Sequence, residues 1–359
     1  MVTRLDEKNY FNLLADKVRE IAIRPVKLME VCGTHTMAIG KAGIRRVLPP
    51  EVELISGPGC PVCVTADSDI DAFMRLAENE QVILATYGDM VRVPGTKGSL
   101  AELKAQGADV RVVYSALEAL AFARSEAARE VIFLGVGFET TAPATAHAIK
   151  IAKHESLSNF SVYNLHKTVP EPLRVLASDK TTKIDGFILP GHVSVIIGEY
   201  PYYFLAEEFG AAGAIAGFEP PEIMAAILKL VKDVNAGVPT ISNLYRKVVR
   251  PGGNVVAQEL LDEIFAHTDA EWRGLGTIPD SGLAIRQEYG AFDAAKKFNI
   301  ERRSVKLHPG CRCGDILKGI IKPHQCPLFN GRCTPENPIG PCMVSSEGTC
   351  AAYYLYREN

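Results

Sequence analysis

Three groups of residues in this 359-residue chain have types and spacings suited to chemistry. The first is Glu30-Val31-Cys32-Gly33-Thr34-His35-Thr36, where Cys32 leaves an apolar run just ahead of a helix expected to begin near Thr36. The positive potential at a helix N-terminus lowers a thiol pKa and favours thiolate, the form that ligates metals and attacks disulfides. His35 can assist Cys32 or act as a second ligand. A cysteine at a strand end can equally be an inert core residue. The second group is Gly57-Pro58-Gly59-Cys60-Pro61-Val62-Cys63, with Pro61 suited to the first turn of a helix. Cysteines spaced C-x-x-C can close a disulfide and exchange it with another thiol. The pair is also half of a zinc site, but the next cysteine in the chain is Cys311. The third group has no cysteine: Gly137-Phe138-Glu139-Thr140-Thr141 and Pro190-Gly191-His192-Val193-Ser194 each follow an apolar run. Glu139 and His192 can form an acid–base pair or docking contacts, although such groups more often cap helices. His147, His154, His166 and His267 have no neighbouring ligand pattern and read as ordinary surface or core histidines.

Six of the nine cysteines lie in the last 49 residues: Cys311, Cys313, Cys326, Cys333, Cys342 and Cys350. Their spacing lacks the paired C-x(2–4)-C of zinc ribbons. An iron–sulfur cluster needs only four thiolates that converge, so six candidates leave the ligand set open. Zinc remains an alternative. The segment 309–350 is rich in Pro and Gly with little periodicity, so a metal or cluster is expected to staple it.

The elements that must position these groups follow from apolar patterning. KLMEVCG, VELISGPG, VILATYG and DVRVVYS read as buried strands within 27–115, and EVIFLG, FSVYNL, DGFILPG and AAGAIAG as a second series. Amphipathic helices are expected over 5–23, 67–79, 142–154, 170–178 and 221–233, with Ser115 capping another. NVVAQELLDEIFAHTDAEW and EYGAFDAAKKFN also read as helices. Uninterrupted apolar strands alternating with helices imply a mostly parallel sheet covered on both faces. The expected fold is α/β: two Rossmann-like lobes, residues 1–122 and 123–240, plus a helical, Cys-rich domain over 241–359. Apolar residues make up 47%, and the net charge of −3 offers no basic excess for nucleic acid or anionic membrane. No run approaches the roughly 18 apolar residues of a membrane span, and MVTRLDEKNYF has no secretory h-region. A cytoplasmic location is expected, where clustered cysteines serve metal or redox chemistry.

Taken together, the motifs C-G-T-H-T at 32–36, G-P-G-C-P-V-C at 57–63, G-F-E-T-T at 137–141 and P-G-H-V-S at 190–194 carry a resemblance. So do C-R-C-G-D-I-L-K-G, C-P-L-F and M-V-S-S-E-G-T-C-A-A-Y-Y near the end. The chain resembles the HypD family of maturation factors for nickel–iron hydrogenases, with matching motifs from about residue 28 to 356. The resemblance implies an assembly scaffold rather than a conventional enzyme. Such proteins bind a small HypC-type chaperone and hold an iron carrying two cyanides and one carbon monoxide, Fe(CN)2CO. A HypE-type partner supplies the cyanides, and the finished unit passes to the hydrogenase large-subunit precursor. The resemblance makes Cys32 the iron thiolate, with His35 in support, and implies a [4Fe-4S] cluster in the C-terminal domain. Cys313, Cys326, Cys333 and Cys350 are the expected cluster ligands, with Cys311 competing with Cys313 and the role of Cys342 open. Cys60 and Cys63 would pass electrons between cluster and iron site. Glu139 and His192 would line the same cleft. The alternative is a cluster-fed thiol–disulfide oxidoreductase, and a zinc-stapled interaction module is a further one.

Overall fold

The computed structural model describes residues 4–303, 305 and 308–357. Eleven strands are found among them. They are β1 (Val26–Glu30), β2 (Val52–Ser56), β3 (Val82–Thr86), β4 (Val110–Val112), β5 (Glu130–Gly135), β6 (Phe160–Asn164), β7 (Gly186–Pro190), β8 (Ala212–Ala216), β9 (Ile241–Asn243), β10 (Phe265–Trp272) and β11 (Gly276–Ile285). Strands β1 to β9 form two all-parallel sheets, ordered β2-β1-β7-β8-β9 and β4-β3-β5-β6. Every residue of β3, β7 and β8 is buried, as strands covered on both faces must be. Helices Arg4–Ile21 and Pro220–Ala236 pack together over the five-stranded sheet, while Ala116–Ser125 and Ala142–His154 cover the four-stranded one. The α/β architecture with two Rossmann-like lobes and a Cys-rich C-terminal region is as expected.

The two sheets are interleaved along the chain, however, rather than consecutive. The expected boundary at 122/123 falls between β4 and β5, two members of one sheet, and 123–240 contributes strands to both. The chain builds β1 and β2, leaves for the whole of β3–β6, and returns to lay β7 beside β1, pairing Met29 with Phe187. Apolar strand composition specifies burial on both faces but not which sheet receives the strand. Downstream, the apolar run after Asn254 is helical only over Val255–Ile264; residues from Phe265 form one arm of an antiparallel hairpin with β11. The alternating burial along β10 is the period-2 signal that replaces the expected helix. The EYGAFDAAKKFN segment is a 3₁₀ turn over Gln287–Phe292 and a short helix over Ala294–Lys297. Among the described residues no helix is long and apolar enough to cross a membrane.

Strand order fixes where chemistry can sit. In the five-stranded sheet the chain runs from β1 outward to β2, but from β7 outward the other way to β8. The carboxyl ends of β1 and β7 therefore flank a topological switch point, the usual crevice for a ligand in such sheets. In the four-stranded sheet the same reversal lies between β3 and β5.

Candidate functional site

The loops at the two switch points face one another across a single cavity. Cys32 and Thr34 after β1, and His192 and Val193 after β7, line one side. Tyr87 to Asp89 after β3, and Val136 to Thr141 after β5 with Glu139 excepted, line the other. Gly59, Pro61 and Val62 after β2 complete the wall, and Ser345 and Glu347 enter from the C-terminal region. The cavity holds about 520 Å³.

Cys32 is the N-cap of helix Gly33–Ala42, which begins three residues earlier than expected, and its thiol is nearly buried. The backbone N–H groups of His35 and Thr34 act to lower the thiol pKa, as a helix N-terminus predicts. Burial nevertheless pushes the thiol up to about 11, outweighing the His35 N–H, and the charge of Glu347 adds to the rise. The expected lowering is thus reversed: desolvation wins over the helix end. His35 is fully buried and donates Nε2–H to the Gly217 carbonyl at 2.9 Å. That bond fixes the tautomer and leaves Nδ1 a lone pair with no hydrogen-bond partner among the described residues. Burial lowers His35 to about 4, so it is neutral. Its ring stacks on Phe218 at 4.7 Å, and His192 stacks on the same Phe218 at 4.0 Å.

Glu139 and His192 are not an acid–base pair. His192 faces the cavity, whereas Glu139 turns inward and accepts the Val169 N–H at 2.9 Å, bracing the start of helix Pro170–Ser178. Its Oε2 is buried without a hydrogen-bond partner among the described residues, and burial raises the carboxyl to about 7.

Cys60 and Cys63 lie behind the cavity wall, both buried, with their sulfurs 2.6 Å apart and both thiols free. Cys60 caps the short helix Pro61–Val64 and accepts the Cys63 N–H at 3.3 Å. The C-x-x-C loop presses directly on the Cys32 loop. Gly33 N–H donates to the Gly59 carbonyl at 2.9 Å, and a Cβ on Gly59 would lie 2.4 Å from the Cys32 nitrogen. On its other side Cys63 neighbours Cys342, which shares the thiol pocket with Cys313, and the Cys63 thiol lies 3.9 Å from the Pro341 carbonyl. The neighbouring Cys313 and Cys63 thiols lower the Cys342 pKa, while burial and neighbouring thiols raise that of Cys63.

All six C-terminal cysteines line one small pocket, closed by Ile316, Leu328, Phe329 and Met343. Soft thiolates in apolar surroundings suit an iron–sulfur cluster, and four of the six suffice. Among the described residues no three His, Cys, Asp or Glu side chains close on a single ion; the thiols ring a pocket instead.

A family model described as "HypD: Hydrogenase formation hypA family" matches residues 9–357. The chain belongs to the HypD family. Its curated relatives include the hydrogenase maturation factor HypD of Rhodobacter capsulatus, 47% identical over 96% of this chain and 92% of the relative. The HypD of Escherichia coli strain K12 is 45% identical over 94% and 91%. A putative hydrogenase expression/formation protein of Methanocaldococcus jannaschii is 43% identical over 95% and 96%.

The motifs that carry the HypD resemblance thus converge in space, and two residues outside the candidate set join them. Glu347 accepts a hydrogen bond from Thr34 Oγ1 at 2.8 Å and packs so tightly on Gly33 that a Cβ there would lie 2.4 Å from its own Cβ. It lies within M-V-S-S-E-G-T-C, a motif conspicuous only for its cysteine. Phe218 carries no signal in sequence, because an aromatic after a buried strand looks like core.

Proposed function

We propose that this chain is a hydrogenase maturation factor that holds the iron of the nickel–iron centre while it carries two cyanides and one carbon monoxide. One observation carries the reading: Cys32 stands where both switch-point crevices meet, with the Cys60–Cys63 pair behind it and the thiol pocket behind that. The iron unit is cargo. Cys32 supplies one thiolate, a soft ligand suited to iron bearing π-acceptor ligands. A cysteine of a HypC-type chaperone supplies another, a HypE-type partner delivers cyanide, and the unit passes to the large-subunit precursor. Binding iron displaces the Cys32 proton. The cavity leaves open positions around Cys32, and His35 orients the loop from beneath.

The thiols form a file from Cys60 through Cys63 and Cys342 to Cys313. Cys342, whose pKa its two neighbours lower, is the nucleophile of that file once deprotonated. It attacks the Cys63 sulfur of an oxidised Cys60–Cys63 pair and expels the Cys60 thiolate. Cys313 then displaces Cys63, leaving a Cys313–Cys342 disulfide that takes two electrons to restore two thiolates. With Cys313 and Cys342 engaged in this way, Cys311, Cys326, Cys333 and Cys350 become the better ligand set for a [4Fe-4S] cluster. When bound, that cluster supplies electrons one at a time from an external reductant.

The test is Cys32→Ala, scored in cells for hydrogenase maturation and in purified protein for reduction of the Cys60–Cys63 disulfide. A scaffold loses maturation and keeps disulfide reduction. Full maturation with Cys32→Ala would instead favour the cluster-fed thiol–disulfide oxidoreductase.

A further inference from the structure

We propose that Arg273 is a positioning residue for the thiol pocket: a buried cation, carried in by the β10–β11 turn, that favours the reduced, more negative state of the redox centre held there. This inference rests on the reading that the pocket holds an iron–sulfur cluster.

The turn is wedged between the two cysteine groups. On one side Trp272 forms an antiparallel bridge with Thr65, and Arg273 N–H donates to the Val64 carbonyl at 2.9 Å, one residue past Cys63. On the other, Gly274 meets Gly314, the neighbour of Cys313; a Cβ on Gly274 would lie 2.3 Å from the Gly314 Cα. Gly274 also has φ +79°, so glycine is needed there for conformation as well as space. The hairpin, which replaces an expected helix, thus holds Arg273 at the seam between the C-x-x-C helix and the cluster cysteines.

Arg273 is only 7% exposed. It pairs with Asp67, which begins the helix after the C-x-x-C motif. Its Nε is buried with no hydrogen-bond partner among the described residues. The Gly274–Gly314 contact joins the residue after it to the residue after Cys313, and the pocket thiols Cys313, Cys342 and Cys311 are among the groups that hold its guanidinium charged. A buried ion pair is a weak device for stability, since well-packed apolar side chains of similar volume often serve as well or better. A fixed positive charge beside thiolates has another use. Reduction adds one electron to a cluster, or two to a disulfide, and in either case makes the site more negative. A nearby cation stabilises that state and raises the midpoint potential; the Asp67 carboxylate paired with it offsets part of that charge.

The experiment is a mediated redox titration of the full chain, reconstituted anaerobically with iron and sulfide, with dithionite as electron donor and the reduced cluster followed by electron paramagnetic resonance. Arg273→Gln should lower the reduced-to-oxidised ratio at fixed potential about tenfold, a shift of about 59 mV for one electron. Arg273→Lys, which keeps the charge, should stay within about threefold of wild type, and Asp67→Asn should shift the ratio upward. Opposite signs for the two neutralised partners are what a merely structural role cannot produce. Equal potentials in wild type and Arg273→Gln, or shifts of the same sign for Arg273→Gln and Asp67→Asn, would overturn the inference. If Arg273→Gln does not fold, Asp67→Asn decides alone: an upward shift supports the inference and its absence overturns it. Wild-type protein that takes up no cluster would overturn the iron–sulfur reading and the inference with it.

Discussion

Gly59→Ala probes the contact that joins the Cys32 loop to the C-x-x-C loop. The added methyl would lie 2.4 Å from the Cys32 nitrogen and 2.6 Å from its Cα and carbonyl carbon. All three are backbone atoms, so no side chain can swing aside. Ordinary contact begins at 3.4 Å, and the loops must therefore part by about 1 Å. Overpacking of this kind costs about 1–3 kcal/mol, which a protein of this size can survive. The functional cost is larger, because a displacement of about 1 Å at a reacting centre can cost about 100-fold in rate. The assay pairs urea unfolding with hydrogenase maturation in cells, using Gly252→Ala, where a Cβ meets nothing within 4 Å, as control. The variant is expected to fold, lose about 1–3 kcal/mol, and mature hydrogenase about 100-fold more slowly. Wild-type stability and maturation in Gly59→Ala would refute the argument that these loops must touch.

Two other outcomes follow from the same geometry. Cys342→Ser should leave cluster content and the Cys60–Cys63 bond intact but stop reduction of that bond by dithionite-reduced protein, as read by thiol trapping; normal reduction would remove Cys342 from the relay. Glu139 has a folded pKa of about 7 against an ordinary 4.5, so the folded state binds the extra proton between those values. Its contribution is present below pH 4.5 and is lost as pH rises through 7, by about 3 kcal/mol at most. Buried His35, lowered to about 4, acts in the opposite sense and destabilises the fold as pH falls from 6.5. The difference in urea stability between wild type and Glu139→Gln isolates the carboxyl: it should favour the variant increasingly from pH 5 to 8, and a flat difference would contradict the raised pKa.

Much of the site is legible in sequence because its parts are local. Each motif is a buried strand followed by a Gly-bounded polar loop, and such loops lie at strand carboxyl ends in any parallel sheet. The helix over Ala142–His154 and the strands β1 to β8 follow directly from apolar runs. What sequence does not supply is the arrangement of those parts. Strand composition is silent on β7 returning beside β1, which brings His192 into the same cavity as Cys32. The apolar spacing of Val255 to Ile264 continues smoothly into Phe265, hiding the point where helix gives way to hairpin, and Arg273 with it. The balance of opposing physical effects is equally hidden. A helix end does act to lower the Cys32 pKa, but desolvation of a nearly buried thiol is the larger effect. Glu347 is invisible because a lone glutamate gains meaning only from Thr34, Gly33 and Cys32, more than 300 residues away in the chain.

The central claim is tested most directly by infrared spectroscopy of the chain purified anaerobically with its small HypC-type partner. Cyanide and carbon monoxide bound to iron absorb where polypeptide is nearly silent. The account predicts bands from both ligands in the wild-type complex and their loss in Cys32→Ala, with the C-terminal cluster retained. A stable, cluster-replete wild-type complex without those bands would contradict it.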